Sequence, residues 1–189
     1  MYTISNTFIL GLFTNNTIVG YYSAAEKIIK AVQDHLSPIS QTIYPYISKL
    51  ATESRKLALV LLKKLLRITG SVYFVISTIM IIFAQQIIFF LYGTGYKDSI
   101  IIFRVLSFIP LILSFSTVYA TLFLLGFGYK KVWSSIIITA SLTQVFLDVV
   151  FVYIFSMSSL GISLAYVVTE LYILICSYIK FRRFIYADR

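Results

Sequence analysis

The stretch that decides the fold is Gly20–Leu50, GYYSAAEKIIKAVQDHLSPISQTIYPYISKL. A helical span needs about 20 residues at a rise of about 1.5 Å each, so this segment is long enough to cross a bilayer. It is nevertheless rich in polar groups. At about 100° per residue, Glu26, Lys30, Gln33, Ser37, Gln41, Tyr44 and Ser48 fall on one narrow face. Ile28, Ile29, Val32, Leu36, Ile39, Ile43 and Ile47 occupy the other faces. A continuous polar stripe on a membrane-length helix cannot face lipid, because unpaired polar groups in hydrocarbon are costly. It is expected to face protein or a water-filled cavity. Glu26, Lys30, Gln33, Ser37, Gln41 and Tyr44 are therefore the candidate cavity residues.

The whole chain supports a membrane reading. Of its 189 residues 59% are hydrophobic and 12% charged, against about 45–50% and about 25% in soluble domains. The net charge of +9 does not indicate nucleic acid, because the cations sit between long apolar runs rather than on a solvated basic surface. Cys176 and His35 are each the sole residue of their type, so neither an intramolecular disulfide nor a His/Cys metal site is expected. Met1-Tyr2-Thr3-Ile4-Ser5-Asn6 carries no basic leader. The first apolar run, Phe8–Phe13, is too short to span, so the chain reads as beginning partway through a helix of a longer protein.

Residues 1–13 read as the end of a helix, closed by Thr14-Asn15-Asn16-Thr17. One long span is expected over 18–50, kinked by Pro38 and Pro45, which lie on nearly the same side and are candidate hinge residues. Residues 51–68 place Lys56, Lys63, Lys64 and Arg67 on one face and leucines on the other, which predicts a basic segment lying in the headgroup interface. Further spans are expected at 71–92, 105–127, 132–155 and 160–179, with Gly126-Phe127-Gly128 ending a helix. Twelve cations, among them Lys49, Arg55, Lys130, Lys180 and Arg189, fall in connectors on one side; Lys97 and Arg104 fall on the other. The positive-inside rule then puts the C-terminus in the cytoplasm.

Three charge features stand out. Glu26, Lys27, Lys30 and Asp34 can form an ion-pair ladder through i,i+4 spacing, or present a cation to a cavity. Asp148 and Glu170 are carboxylates inside spans, on weak polar stripes with Gln144 and Tyr166 respectively. Such carboxylates are either coupling sites for a proton or sodium ion, or interhelical hydrogen-bonding groups. His35 borders the main stripe and reads as a structural histidine. No nucleophile motif, phosphate loop or metal-spaced ligand set occurs, so neither an enzyme nor a cofactor is expected.

Residues 5–50, SNTFILGLFTNNTIVGYYSAAEKIIKAVQDHLSPISQTIYPYISKL, resemble the O-antigen flippases of bacterial polysaccharide export, within the multidrug/oligosaccharidyl-lipid/polysaccharide exporter superfamily. LGLF, VGYYSAAEKI and SPISQTIYPYISKL carry the likeness, with FLYGTGYKDS, RVLSFIP and Thr169-Glu170 further on. The resemblance implies an all-α polytopic bundle: the C-terminal six-helix lobe of a two-lobe transporter, with its first helix truncated. It implies movement of undecaprenyl-pyrophosphate-linked O-antigen repeat units across the bacterial inner membrane, coupled to an ion gradient. The implied partners are that lipid-linked oligosaccharide, membrane lipids, an N-terminal lobe and the polysaccharide polymerase machinery. A drug/sodium antiporter, a membrane-embedded polysaccharide polymerase or glycosyltransferase, and a nonfunctional fragment are the alternatives.

Overall fold

A computed structural model describes residues 2–154 and 158–187, and their side chains except at 2–5, 37, 39, 154, 186 and 187. The expectations for Ser37 as a cavity side chain and for Arg189 lie outside the described residues. Among the described residues the chain is helical, without strands.

Helix α1 (Tyr2–Phe13) ends where Thr14 Oγ1 donates back to the Leu10 carbonyl at 2.6 Å. Asn15 then caps α2 (Asn16–Asp34), its side chain accepting from the Ile18 N–H at 3.0 Å. The single long helix expected over 18–50 is two helices, α2 and α3 (Leu36–Glu53), parted at His35. Pro38 explains the break. Its ring clashes with the carbonyl four residues back, Asp34, the last residue of α2. Pro38 itself sits in the first turn of α3, where a missing N–H costs nothing. Pro45 lies inside α3.

Ser54 caps α4 (Arg55–Ile82), which leads through Phe83 into α5 (Ala84–Tyr92). The basic stretch expected to form a separate interfacial segment is instead the first half of α4, helically continuous with the span that follows. Gly93, at φ 81°, closes α5. The next crossing is α6 (Ser99–Leu106), then α7 (Ile109–Ser116) running into a π-helical stretch, Thr117–Leu125. Pro110 breaks α6 from α7 by the same logic as Pro38, its clash falling on Leu106. The expected turn at Gly126–Gly128 is present: Tyr129 N–H bonds the Leu124 carbonyl and Gly128 N–H the Leu125 carbonyl, with Gly128 at φ 83°. That is the Schellman arrangement, which needs a left-handed residue at this position. Helix α8 (Lys130–Val149) runs into π-helical Val150–Ile154, and α9 (Ser158–Ala187) completes the chain.

Among the described residues four stretches are long and apolar enough to cross a membrane: Arg55–Ile82, Ser99–Leu125, Lys130–Tyr153 and Ser158–Ile185. The more polar α2 and α3 are not among them. The α6–α7 crossing is the central rod, half buried, whereas only 22% of the apolar stretch of α4 is buried. Val72, Phe74, Ile79, Ile138, Leu142 and Phe146 point outward. A surface this apolar suits lipid rather than water. Several hydroxyls inside the bundle bond to their own helix, as Ser107 does to Phe103 (2.6 Å) and Ser163 to Ser159 (2.7 Å). Close packing relies on small residues: the Phe115 ring lies directly over Gly70, joining α7 to α4.

The core falls into two apolar clusters. One packs α2 against α1, α5, α6 and α9 through Leu10, Tyr22, Ile29, Ile88, Phe103 and Ile162. The other packs α3 and the start of α4 against the π-helical stretch, α8 and the end of α9, through Ile47, Leu62, Phe123, Ile136 and Phe181. The break at His35 thus divides a helix that serves one cluster from a helix that serves the other.

Candidate functional site

Buried polar side chains from α1, α2 and α8 meet inside the bundle. Spacing of i,i+4 puts Tyr22 and Glu26 on one face of α2, and Gln144 and Asp148 on one face of α8. Asn6 and Thr7 of α1 stand between them. Gln144 Nε2 donates to Asp148 Oδ1 at 2.9 Å and to Asn6 Oδ1 at 3.3 Å. Asn6 Nδ2 donates to the Tyr22 hydroxyl at 3.2 Å, and that hydroxyl donates to Glu26 Oε1 at 3.2 Å. Thr7 Oγ1 donates to Glu26 Oε2 at 3.3 Å. An unbroken chain of hydrogen bonds therefore joins two carboxylates across three helices.

The environment makes this chain consequential. Asn6, Tyr22, Gln144 and Asp148 are fully buried, and Glu26 is half-buried. Away from water each donor and acceptor needs a partner, so the members hold one another in place. Gln144 Oε1 is the exception, buried and without a hydrogen-bond partner. A state in which a water molecule or an ion met that oxygen would be better satisfied.

The described stripe residues Glu26, Lys30, Gln33, Gln41 and Tyr44 meet different surroundings. Glu26 turns inward to the chain of bonds. Gln33 Nε2 donates to the hydroxyl of buried Tyr166 at 3.3 Å. Lys30 and Gln41 are exposed, as are Pro38, Pro45 and His35. His35, read as a structural histidine, stands at the junction of α2 and α3. Tyr44 is half-buried and lines a pocket at the end of α3. Tyr22 and Thr7 hydrogen-bond the Glu26 carboxylate, and Lys30 and Asp34 of the expected ladder lie on the surface.

Asp148 and Glu170, paired by role in the sequence, separate here. Glu170 is buried on α9 but makes none of the bonds in the chain from Glu26 to Asp148. Beside it Thr169 Oγ1, and two turns on Ser177 Oγ, are buried without partners. Asn6 and Thr7 had no periodic signal to mark them. The available clue was an amide in the run SNTFILGLF, where any polar group must find a partner.

Comparison with known proteins adds context to this geometry. The family model described as "Polysaccharide biosynthesis protein" matches residues 1–101, which hold Asn6, Thr7, Tyr22 and Glu26. A protein of Escherichia coli (strain K12) named "Putative O-antigen transporter" is 33% identical over 147 residues, covering 78% of this chain and 35% of that protein. A protein of the same name from Shigella dysenteriae is 25% identical over 167 residues, covering 88% of this chain and 41% of its own length. The chain thus spans well under half the length of either curated relative. No solved structure matches it.

Proposed function

From the premise that this chain belongs to the polysaccharide biosynthesis protein family, we propose that it forms one lobe of a flippase for O-antigen repeat units. The cargo is an undecaprenyl-pyrophosphate-linked oligosaccharide, carried across the bacterial inner membrane for lipopolysaccharide biosynthesis. The lobe is the C-terminal six-helix half, with the C-terminus in the cytoplasm. The exposed polar face of α2 and α3, with Lys30 and Gln41, then fronts the sugar path between this lobe and an N-terminal one. Polymerase machinery receives the product.

The observation that carries this reading is the bent, polar α2–α3 pair inside a bundle whose outer surface is apolar. Transporters place polar sites on interrupted helices, because only a protected or water-lined stretch tolerates them. The linked carboxylates Glu26 and Asp148 provide a place where proton or sodium binding on one side of α1 is felt on the other. Glu170 is a second coupling carboxylate on α9, and Pro38 and Pro45 flex the helix between the two apolar clusters.

Deletion in an O-antigen-producing strain without a redundant exporter tests the assignment. Loss of all surface O-antigen, restored by the gene with its full reading frame, is the expected result. Normal surface polysaccharide refutes the flippase assignment. Lipopolysaccharide bearing a single repeat unit indicates a polymerase instead.

A further inference from the structure

The ends of four helices converge at the basic end of the bundle around two adjoining cavities. The first, of about 510 Å³, is lined by Tyr44, Ser48 and Thr52 of α3, Arg55 of α4, Lys130 of α8 and Phe184 of α9. The second, of about 360 Å³, shares Tyr129 and Phe184 with it and adds Lys180 and Arg183. Four cations from three helices thus surround one aromatic wall. No carboxylate is among the lining residues of either cavity.

The wall is built, not incidental. Phe123, Phe127, Tyr129, Phe181 and Phe184 pack with ring centroids 4.9–6.0 Å apart. The Arg55 guanidinium carbon lies 5.8 Å from the Phe184 ring centroid, which anchors that cation beside the first cavity. Gly126 and Gly128 let the chain turn tightly here, so that Lys130 follows the Schellman turn directly onto the cavity rim. Hydroxyls at Tyr44 and Ser48 can donate where an anion's oxygens would sit, whereas Thr52 Oγ1 donates to the Lys49 carbonyl at 2.7 Å. Next to this end Leu57 and Val60 of α4 and Ile138 of α8 are exposed among the exposed cations Lys56, Lys63, Lys64 and Lys131.

We infer that this paired cavity seats the phosphate headgroup of a membrane lipid, held by Arg55 and Lys130 and backed by Lys180 and Arg183. Cations and hydroxyls supply phosphate recognition, and the exposed apolar side chains Leu57, Val60 and Ile138 meet the lipid chains. The inference stands apart from the flippase reading. It requires only that this end of the bundle meets the headgroup layer, and it holds for a bilayer phospholipid or for a polyprenyl pyrophosphate.

Native mass spectrometry of the full chain in detergent tests it, using dioleoylphosphatidylglycerol, dioleoylphosphatidylcholine, farnesyl pyrophosphate and inorganic pyrophosphate as probes. The expected result is that phosphatidylglycerol binds at least tenfold more tightly than phosphatidylcholine. Arg55→Gln with Lys130→Gln should weaken it tenfold or more, while Lys63→Gln with Lys64→Gln changes it less than twofold. Circular dichroism checks that each variant is folded. If the double variant is not, Lys130→Gln alone, at an exposed position, should weaken binding threefold, with Lys130→Arg restoring it. Tighter farnesyl pyrophosphate than phosphatidylglycerol assigns the site to a pyrophosphate lipid, and the reverse to a phospholipid; both support the inference. Equal losses in the two double variants would reduce it to diffuse surface charge and overturn it. Inorganic pyrophosphate binding more tightly than either lipid would overturn it in favour of a soluble anion.

Discussion

Replacing Tyr22 by Phe removes one hydroxyl and leaves a fully buried ring in place. Two hydrogen bonds go with it, one from Asn6 Nδ2 and one to Glu26 Oε1, both at 3.2 Å. Side-chain hydrogen bonds inside membrane proteins average about 0.6 kcal/mol and reach about 1.7. The expected loss of stability is therefore about 1.2 kcal/mol, with a ceiling of about 3.4. The more telling quantity is coupling. Tyr22 and Gln144 are joined only through Asn6 among the bonds described, so their effects would add if the bonds were independent. In a cooperative chain they should not, and a double-mutant cycle of Tyr22→Phe with Gln144→Leu should give a coupling of at least about 0.5 kcal/mol. Unfolding by SDS titration in mixed micelles, followed by helical circular dichroism, measures all four corners. Additivity within about 0.3 kcal/mol would show that the side chains are neighbours without being a unit. Surface O-antigen in cells carrying Tyr22→Phe should also fall, even where the protein is present at normal level.

Three further outcomes follow from the same geometry. Gly126→Ala should destabilise the protein by about 1–3 kcal/mol, since a Cβ there would overlap the Leu122 carbonyl oxygen and come within 2.9 Å of Ile47 Cγ2; unchanged SDS resistance refutes that fit. Glu170→Gln should weaken ion-dependent transport in proteoliposomes of the full-length protein, and an unaltered ion dependence removes the coupling role. Lys30→Ala should reduce polysaccharide export several-fold without loss of stability, because Lys30 is exposed on α2; wild-type export leaves this lysine as a surface charge.

Class, helix content and sidedness of charge were legible in the residues themselves. Long uncharged runs can be stable only in lipid or in a core, and 59% hydrophobic content exceeds what a soluble surface can hide. The turn at Gly126–Gly128 was equally local, because it rests on the conformational freedom of glycine. The basic residues could be assigned to one end by counting connectors, and the shared cavities bring Arg55, Lys130, Lys180 and Arg183 together there. The polar stripe of α2–α3 was visible too, but not its division. A helical projection assumes an unbroken helix, and Pro38 ends α2 at Asp34, so residues before and after the break answer to different neighbours.

What only the tertiary structure decided is which faces meet. Periodicity assigns a polar side to α2 and another to α8, yet it carries no information on how far each helix is rotated or which helix lies opposite. That α1 inserts Asn6 between α2 and α8 and links Glu26 to Asp148 therefore had no mark in either stripe. Hydrophobic patterning is a one-body property of each segment. A buried hydrogen-bond chain is a many-body one, fixed only once three helices pack closely enough for their polar atoms to reach one another.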